Sequence, residues 1–344
     1  MGLPFRDLVS PQELDWPALA GRRLAVDAYN AIYQFLATIR QRDGQPFTDP
    51  SGRPTSHLIG VFYRTTALLG QGVLPVWVFD GKPPDLKAGT LRARFVAKER
   101  AESEWKEALA AGDLETAKRK AAATSRLTRG MAEECQELLT ALGVPVVRAP
   151  SEGEAQAAAM AAADQVWAAA SEDYDCLLFG APRLVRGLAA RGQRNGAPGA
   201  QVIDRAELLS SLGVSSEELL LIGLIVGTDF NDGAPGFGPK KALKLARQHL
   251  GWEATLAAAG LNASELAPVA EVFRHPEVTA VPAPVFGPID DAAVERLLVD
   301  GHGFSPERVR SAVGRARRRP PVAASPAENH GRQTLIEAFG GEGP

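Results

Sequence analysis

Two closely spaced pairs of acidic residues are the part of this sequence best suited to do chemistry. Glu152 and Glu154 are separated by a single residue, and so are Asp173 and Asp175. Carboxylates that converge repel one another unless cations lie between them, and hard ions such as Mg²⁺ and Mn²⁺ prefer their oxygens as ligands. These residue types in this spacing predict a divalent-metal site, provided that the fold brings the two pairs together.

Each pair follows an apolar segment that is predicted to be a β-strand. Residues 144–147 lead into a helix that starts near Ser151 and carries the first pair in its opening turn. Residues 166–170 end directly before the segment that carries the second pair. Open α/β sheets place their sites at the carboxyl ends of the strands. The two pairs are therefore expected at one edge of a sheet.

Local structure offers a simpler interpretation of the same acids. Ser151 and Glu154 have the spacing of a capping box, and an acid in the first turn of a helix suits the helix dipole. Asp173 and Asp175 also suit solvated turn positions. Either pair taken by itself leaves both interpretations open, so the rest of the chain has to decide between them.

Three further acids follow apolar segments in the same manner. They are Asp27 after a strand at 24–26, Asp80 after a strand at 73–79, and Asp229 after a helix at 208–226. Seven carboxylates at one edge would not keep their charges without metal ions, and two divalent ions can stabilise both the attacking and the leaving oxygen of a phosphodiester. The pattern therefore favours metal-dependent phosphodiester hydrolysis by an α/β protein.

A charged, alanine-rich helical segment follows Asp80 in the chain, between residues 91 and 142. It is predicted to form two helices that separate at residues 111–113 and lie above the acidic edge. Its basic side chains are Arg92, Arg94, Lys98 and Arg100 in the first helix, and Lys118, Arg119, Lys120, Arg126 and Arg129 in the second. Charge alone favours a solvated helical hairpin, whereas its position favours contact with an acidic substrate.

A glycine-rich turn is a candidate binding site for a phosphate. Residues 236–241 read G-F-G-P-K-K, with the proline at a predicted helix start. Backbone N–H groups exposed there bind anions, and the two lysines add positive charge, although an ordinary turn is the alternative. Asp232, an acid nearby, is assigned no role. The range 183–200 is predicted to hold a loop, RGQRNGAPG at 191–199, and most of residues 320–344 are predicted to be disordered.

Composition narrows the class of protein. The 344 residues are 45% hydrophobic, which is enough for a substantial core in one or two domains. The chain contains no apolar run of membrane-spanning length and no signal-peptide pattern, and its two cysteines fit a reducing cytosol. A net charge of −3 is unusual for a nucleic-acid binder. The basic residues are clustered, however, so the local potential can still attract a polyanion.

Six segments, taken in order, match the motifs of one nuclease family. They read LAVDAYNAIYQFL, TSHLIGVFYRT, VWVFDGKPPDLK, APSEGEAQAA, SEDYDCLLFGAPRLVR and VGTDFNDGAPGFGPKKAL. In these segments the chain resembles the flap structure-specific endonucleases of the XPG/Rad2 superfamily, and the resemblance extends from Gly2 to about Arg319. The sequence APSEGEAQ looks more like that of archaeal members than of eukaryotic ones. The resemblance implies a PIN-like nuclease core with a central, mostly parallel sheet flanked by helices. It also implies an inserted helical arch and a helix–two-turn–helix element that binds DNA.

The resemblance assigns roles at the acidic edge, with two Mg²⁺ ions per subunit and Mn²⁺ as a substitute. It implies that Asp80, Glu152 and Glu154 bind the first ion and that Asp173, Asp175 and Asp229 bind the second. Asp27 would support the site through water. Lys87 and Arg94 match the basic pair at the base of the arch that contacts the scissile phosphate. The residues implied in catalysis are Lys87, Arg94, Asp80, Glu152 and Asp175.

The resemblance also implies contacts with branched DNA that carries a 5′ flap. The implied contacts are Gly2, Tyr33, Arg40, Thr55, Arg64, Lys87, Arg94, Glu152, Gly227, Asp229, Gly236, Gly238, Lys240 and Lys241. Tyr33 matches an aromatic residue that supports the unpaired nucleotide, and the helix–two-turn–helix element would also hold a K⁺ ion. The implied activity is hydrolysis of the phosphodiester at the base of the flap, with 5′–3′ exonuclease activity, in DNA replication and repair.

The same resemblance divides the chain into regions. These are an N-terminal nuclease region 1–98, an arch 99–132 within an insertion from about 84, an internal nuclease region 116–258 with the helix–two-turn–helix near 227–250, a C-terminal part of the core 259–320, and a flexible tail 321–344. Residues 304–310 resemble the C-terminal helix near the pocket for a 3′ flap.

The tail carries a segment that resembles a motif for binding the sliding clamp PCNA. In residues 332–340, RQTLIEAFG, the positions Gln333, Ile336 and Phe339 fit the motif. Gly340 stands where a second aromatic residue is usual, which is expected to weaken binding. A plain disordered tail is the alternative. The chain is expected to be a monomer of the cytoplasm that does not contact membranes.

Two other functions stay open on the sequence. A sister nuclease of the same superfamily would prefer exonuclease cleavage or bubble DNA, but the compact arch and the clamp-like tail favour flaps. A non-catalytic module that binds DNA junctions would be favoured by a missing metal-binding acid, and all seven acids are present.

Overall fold

A seven-stranded sheet runs through the centre of the protein in this computed structural model, which describes residues 3–188 and 200–318. The strands are β1 (Gln12–Leu14), β2 (Arg23–Asp27), β3 (Leu74–Phe79), β4 (Val146–Arg148), β5 (Ala168–Ala170), β6 (Arg183–Arg186) and β7 (Ala200–Asp204). Their order across the sheet is β1-β7-β6-β5-β2-β3-β4. Strands β4, β3, β2, β5 and β6 are parallel, whereas β7 is antiparallel to both of its neighbours. The predicted mostly parallel sheet is confirmed.

Helices cover both faces of this sheet. They are α1 (Trp16–Leu19), α2 (Ala28–Thr38), α3 (Ser56–Gly70), α4 (Ala88–Ala110), α5 (Leu114–Ala122), α6 (Arg129–Ala141), α7 (Gly153–Ala162), α8 (Asp175–Leu178), α9 (Arg205–Leu212), α10 (Ser216–Val226), α11 (Pro239–Ala246), α12 (Trp252–Ala258), α13 (Ala263–Arg274), α14 (Asp291–Glu295) and α15 (Pro306–Arg317). Short 3₁₀ turns occur at Phe5–Asp7 and Asp85–Lys87, and a π-helical turn follows α14 at Arg296–Asp300. The predicted α/β class is confirmed.

Two hydrophobic cores lie on the two faces of the sheet because side chains alternate along each strand. In β3, Val76 and Val78 pack into one core with α7, α10 and α13. Trp77 and Phe79 pack into the other with α2, α3, α6 and α15. Burial on both faces explains why β3 is a continuous apolar run in the sequence, as parallel strands covered by helices usually are.

The helical segment that follows Asp80 contains three helices, so the predicted two-helix hairpin is wrong in part. Helices α4 and α5 separate at residues 111–113 as predicted, but residues 123–128 interrupt the chain again before α6. The side chain of Thr128 accepts a hydrogen bond from the Met131 N–H and caps α6. Cys135 and Leu138 of α6 are buried in the core on the sheet. Helix α6 therefore belongs to the core, while α4 and α5 form the arch.

The predicted single helix at residues 208–226 is also wrong, because it is two helices. Gly213 adopts the left-handed conformation (φ 60°) that ends α9, and Ser215 with Glu218 forms a capping box that starts α10. The two helices meet at an angle of 80°. Within residues 3–188 and 200–318, no single helix is long and apolar enough to span a membrane, and this bent pair qualifies only by its combined length and composition.

The range 183–200, which is predicted to hold a loop, begins and ends in regular structure. Its first residues form β6, which pairs with β5 and β7, and Ala200 is the first residue of β7. Residues 189–199, which include the predicted loop at 191–199, lie outside the described part of the chain. Short strands of this kind were missed because Arg183–Arg186 has charged residues at both ends and an apolar run of only two residues.

Candidate active site

Acidic residues follow the carboxyl ends of four neighbouring parallel strands. Asp27 is the last residue of β2, and Asp80 comes directly after β3. Glu152 precedes α7, which follows β4, and Asp173 follows β5. With Glu154 and Asp229, these acids line one cleft of about 670 Å³ beneath α4. The structure therefore brings the predicted acids together at one sheet edge.

Backbone and hydroxyl groups hold several of the carboxylates in place. The Gly153 N–H donates to Asp80 (2.8 Å), and the Leu3 N–H donates to Asp173 (3.0 Å). The Ser171 hydroxyl lies 2.8 Å from Glu154 Oε1 and 3.3 Å from Asp27 Oδ2. These contacts join strand ends that are far apart in sequence.

The capping-box interpretation of the first pair is wrong. Glu152 occupies the position before α7 and makes no side-chain capping bond, while Glu154 accepts its hydrogen bond from Ser171. The solvated-turn interpretation fails for Asp175, which is only 2% exposed. Two residues that sequence reasoning missed are Ser171 and Gly153. A Cβ atom at Gly153 would lie 2.4 Å from Asp80 Oδ1, so only glycine allows that carboxylate to approach.

The acidic edge strongly disfavours negative charge in the absence of cations. Burial, assisted by the nearby Asp173, raises the pKa of Asp27 to about 6. Burial, followed by the charges of Asp27 and Glu152, raises the pKa of Asp80 to about 8. Burial and neighbouring carboxylates also raise the pKa of each of the three remaining shifted acids, Glu154, Asp173 and Asp175. Each shift shows that an added positive charge would be stabilised here.

Two basic residues of the arch region supply part of that positive charge. Lys87 Nζ lies 2.5 Å from Glu152 Oε2 and 3.3 Å from Asp229 Oδ2. Arg94, in α4, also pairs with Asp229. Burial opposes the charge of Lys87, but Glu152 and Asp229 outweigh it and hold the pKa of Lys87 above its usual value. The predicted basic pair thus lies at the acidic edge, in contact with two of the predicted metal-binding acids.

The donor set fits a hard divalent cation. As they are placed among the described residues, no three His, Cys, Asp or Glu side chains form a ready-made metal site. Asp175 Oδ1, however, is buried without a hydrogen-bond partner, although a buried polar atom normally has one. The acids around it offer carboxylate oxygens, which suit Mg²⁺ or Mn²⁺ better than softer metals. The residues therefore fit the predicted ions.

The cleft continues from the acids to aromatic and basic side chains of the arch. Tyr33 of α2 lines it, and Lys98 Nζ lies 4.5 Å from the centre of the Tyr33 ring. Arg94 and Arg126 line the same cleft. Positive charge and an aromatic surface beside a carboxylate cluster would suit a strand of nucleic acid.

Three predicted DNA contacts lie away from this cleft. The Arg40 guanidinium donates to the carbonyls of Leu36 and Gly44 and to the Ser125 hydroxyl, so it ties the end of the arch to the loop after α2. Thr55 is 3% exposed, and its hydroxyl donates to a backbone carbonyl, which favours a structural role for this residue. Arg64 is half-buried in α3, and burial lowers its pKa.

The glycine-rich turn has the backbone geometry of the predicted phosphate-binding site. Gly236 has φ 77°, and Gly238 precedes α11, which starts at Pro239. Lys240 and Lys241 are both exposed, and Lys241 Nζ lies 4.0 Å from the centre of the Phe237 ring.

The turn that carries Asp229 requires glycine as well. Gly227 has φ 102°, and a Cβ atom there would lie 2.9 Å from the Asp232 carbonyl oxygen. The Asp232 side chain itself is exposed. Gly2, another predicted DNA contact, lies outside the described residues.

A mostly parallel sheet with acids along its carboxyl edge, covered by a basic helical arch, places this chain in the class of α/β nucleases. Residues 5–101 match the XPG N-terminal domain, and residues 143–229 match the XPG I-region. Flap endonuclease 1 of Pyrococcus horikoshii is 43% identical over 98% of this chain and 98% of its own length. That of Aeropyrum pernix is 45% identical over 92% of this chain and 94% of its own. The chain belongs to the flap endonuclease 1 family.

Solved structures agree with this assignment. The chain is similar to flap endonuclease-1 from Methanococcus jannaschii, with a TM-score of 0.71 and 37% identity over 92% of this chain and 98% of that one. The catalytic core of Rad2, solved with a DNA substrate, has the same fold, with a TM-score of 0.70 and 24% identity over 92% of this chain and 100% of that one. The predicted family and nuclease fold are confirmed.

Proposed function

We propose that this protein is a Mg²⁺-dependent, structure-specific 5′-flap endonuclease of DNA replication and repair, with 5′–3′ exonuclease activity. Membership of the flap endonuclease 1 family supports the cleavage of flap DNA. The observation that carries the mechanism is the convergence of the acids beneath a basic arch. The catalytic core of Rad2, which shares this fold, forms a complex with DNA substrate, and this supports a DNA ligand here.

The acids would hold two ions in the arrangement implied by the family. Asp80, Glu152 and Glu154 would hold the first, Asp173, Asp175 and Asp229 the second, and Asp27 would support both. Magnesium, or manganese in its place, would supply Lewis-acid activation of water and neutralise charge on the phosphate. Asp175 Oδ1, which has no partner in the protein, would then gain one.

The arch residues would act on the phosphate itself. Lys87 and Arg94 are held at the acidic edge by Glu152 and Asp229. When DNA enters, their N–H groups can exchange these carboxylates for phosphate oxygens and stabilise the charge that develops in the transition state. In-line attack by water on phosphorus breaks the bond to the 3′ oxygen and leaves a 5′-phosphate and a 3′-hydroxyl. Tyr33 would support the unpaired nucleotide beside them.

Duplex DNA would be held at the glycine-rich turn. The backbone N–H groups before α11 and the exposed Lys240 can bind phosphates without reading sequence, with K⁺ as the proposed ion of this element. Recognition of backbone shape in place of base sequence suits an enzyme that acts on a branch point.

Cleavage of a labelled double-flap DNA with and without Mg²⁺ tests the proposed function. We expect a single major cut near the base of the 5′ flap with Mg²⁺ and none after chelation. A bubble substrate and a blunt duplex in parallel test the sister nuclease, which would cut one of these faster than the flap. Binding of the flap DNA with no cleavage in any metal would instead identify a non-catalytic junction-binding module.

The tail is proposed to bind a ring-shaped sliding clamp weakly. Gln333, Ile336 and Phe339 lie outside the described residues, so the motif rests on sequence alone. A short segment can dock around two or three buried anchors, and Gly340 removes one of them. The regional boundaries, the monomeric state and the cytoplasmic location also stay predictions.

Deletion of residues 331–344 is expected to leave cleavage of free flap DNA unchanged and to remove stimulation by the clamp of the same organism. The deletion removes the clamp anchors and none of the cleft residues. Phe339→Ala should act like the deletion, while Leu335→Ala, between the anchors, serves as the matched control. Equal stimulation of the truncated and full-length proteins would show that the tail does not bind the clamp.

A further inference from the structure

An exposed aromatic side chain lies in the cleft with no role in the chemistry described above. Phe95 of α4 is 51% exposed, and Leu91, one helical turn earlier, is 42% exposed. Residues four apart lie on the same face of a helix, and both side chains line the cleft that contains the acids. Apolar surface is normally buried, so this arrangement leaves an apolar strip open where substrate would pass.

The surroundings of Phe95 are basic. The Arg126 guanidinium lies 5.4 Å from the centre of the Phe95 ring, and Arg94 and Lys98 line the same cleft. Tyr33 lies in the same cleft, with Lys98 4.5 Å from its ring centre. An aromatic ring beside a cation presents a stacking surface for a base next to a partner for a phosphate. That pairing is the chemistry of single-stranded nucleic acid, in which each flat base is attached to a negative charge.

We propose that Phe95 forms a nucleobase-binding subsite, on which one unpaired base of the DNA flap stacks as the strand passes beneath α4. This inference deepens the proposed function and rests on it. The occupant is a base of single-stranded DNA because the cleft combines exposed apolar surface with positive charge and is continuous with the acidic edge. Stacking tolerates any base, so Phe95 contributes affinity and alignment without sequence preference.

The simpler alternative is that Phe95 only packs against Arg126 and holds α4 close to the segment before α6. A flap DNA without bases distinguishes the base-binding role of Phe95 from the structural one. A flap whose first nucleotides are abasic keeps every phosphate and removes every stacking surface. A base-binding role for Phe95 predicts that the variant and the abasic flap lose the same interaction, whereas a structural role predicts independent losses.

The test compares Phe95→Ala and Phe95→Trp with Val96→Ala, on an ordinary and an abasic flap. Val96 is the matched control because it is 58% exposed on the same helix and does not line the cleft. With the ordinary flap, Phe95→Ala should raise the half-saturating substrate concentration between about fivefold and a hundredfold, the range for one stacked base. Phe95→Trp should restore most of the loss, and Val96→Ala should resemble the parent.

With the abasic flap, the parent should lose at least that factor, because the base beside Tyr33 is removed as well, and Phe95→Ala should weaken binding of this flap little further. Equal effects of Phe95→Ala on both flaps, or a Val96→Ala effect of the same size, would overturn the subsite. So would a parent protein that cuts both flaps with the same half-saturating concentration, and in that case the flap endonuclease function would stand. Failure of the parent to cut any flap would instead overturn the proposed function.

Discussion

Asp175→Ala is expected to abolish cleavage of flap DNA while leaving DNA binding largely intact. The carboxylate is buried, and its Oδ1 has no hydrogen-bond partner in the protein, so a bound cation would account for its place in the fold. Contacts of basic residues with phosphates are expected to provide most of the affinity for DNA, and an acid such as Asp175 is not one of them. Single-turnover cleavage and flap-DNA binding should be measured on the same preparation.

The melting temperature of Asp175→Ala shows whether the variant has lost catalysis alone or has also lost its fold. Burial and the charges of Asp173 and Asp229 raise the pKa of Asp175, which shows that its charge is unfavourable in the metal-free protein. Its removal should therefore not lower the melting temperature measured without metal. Asp232→Ala removes an exposed acid close in sequence to the site and should cleave like the parent. Cleavage by Asp175→Ala within about tenfold of the parent at saturating Mg²⁺ would contradict a metal-binding role.

Lys87→Ala and Arg94→Ala are each expected to lower the single-turnover rate by about a hundredfold or more, with a smaller effect on binding. Both basic side chains lie at the acidic edge, paired with carboxylates that are proposed to hold the ions. A preorganised cation stabilises the charge that develops in the transition state, so its loss appears in the chemical step. Rapid-quench cleavage with enzyme in excess measures that step directly.

Arg92→Ala is the matched control for these two variants. It removes one positive charge from the same helix, but Arg92 is exposed and does not line the cleft. Its loss should change the rate little and the salt dependence of binding slightly. If Lys87→Ala and Arg94→Ala change only the dissociation constant, the two residues attract DNA without acting on the phosphate, and their proposed role in the chemical step is wrong.

The placement of the acids could be predicted because short-range patterns determine it. Asp27 and Asp80 each follow an apolar run long enough only for a strand, and parallel strands end at one edge. Strand β3 does not alternate between apolar and polar residues because both of its faces are buried. The continuous apolar run that results is what identified it as a strand. The resemblance of six segments to one nuclease family then supplied the roles, and the comparisons confirm that family.

Other features could not be read from short segments because they depend on contacts between distant parts of the chain. Residue type alone did not show that Ser171 would bond to Glu154, or that Gly153 would leave room for Asp80. The break in the predicted helix at 208–226 depends on Gly213, whose left-handed conformation ends α9. A glycine inside an apolar helical pattern permits either outcome, and packing selects between them.

The sequence by itself determined the α/β class, the family and the acids, because alternation, strand length and motif order are encoded locally. Only the tertiary structure decided what each charge faces. Arg94 and Asp229 lie 135 residues apart in the chain and form an ion pair across the cleft. Phe95 belongs to the segment for which charge alone favours a solvated hairpin, yet the fold places it in the cleft that holds the acids. Burial and Coulomb energies depend on distances in space, and the linear order of residues does not contain them.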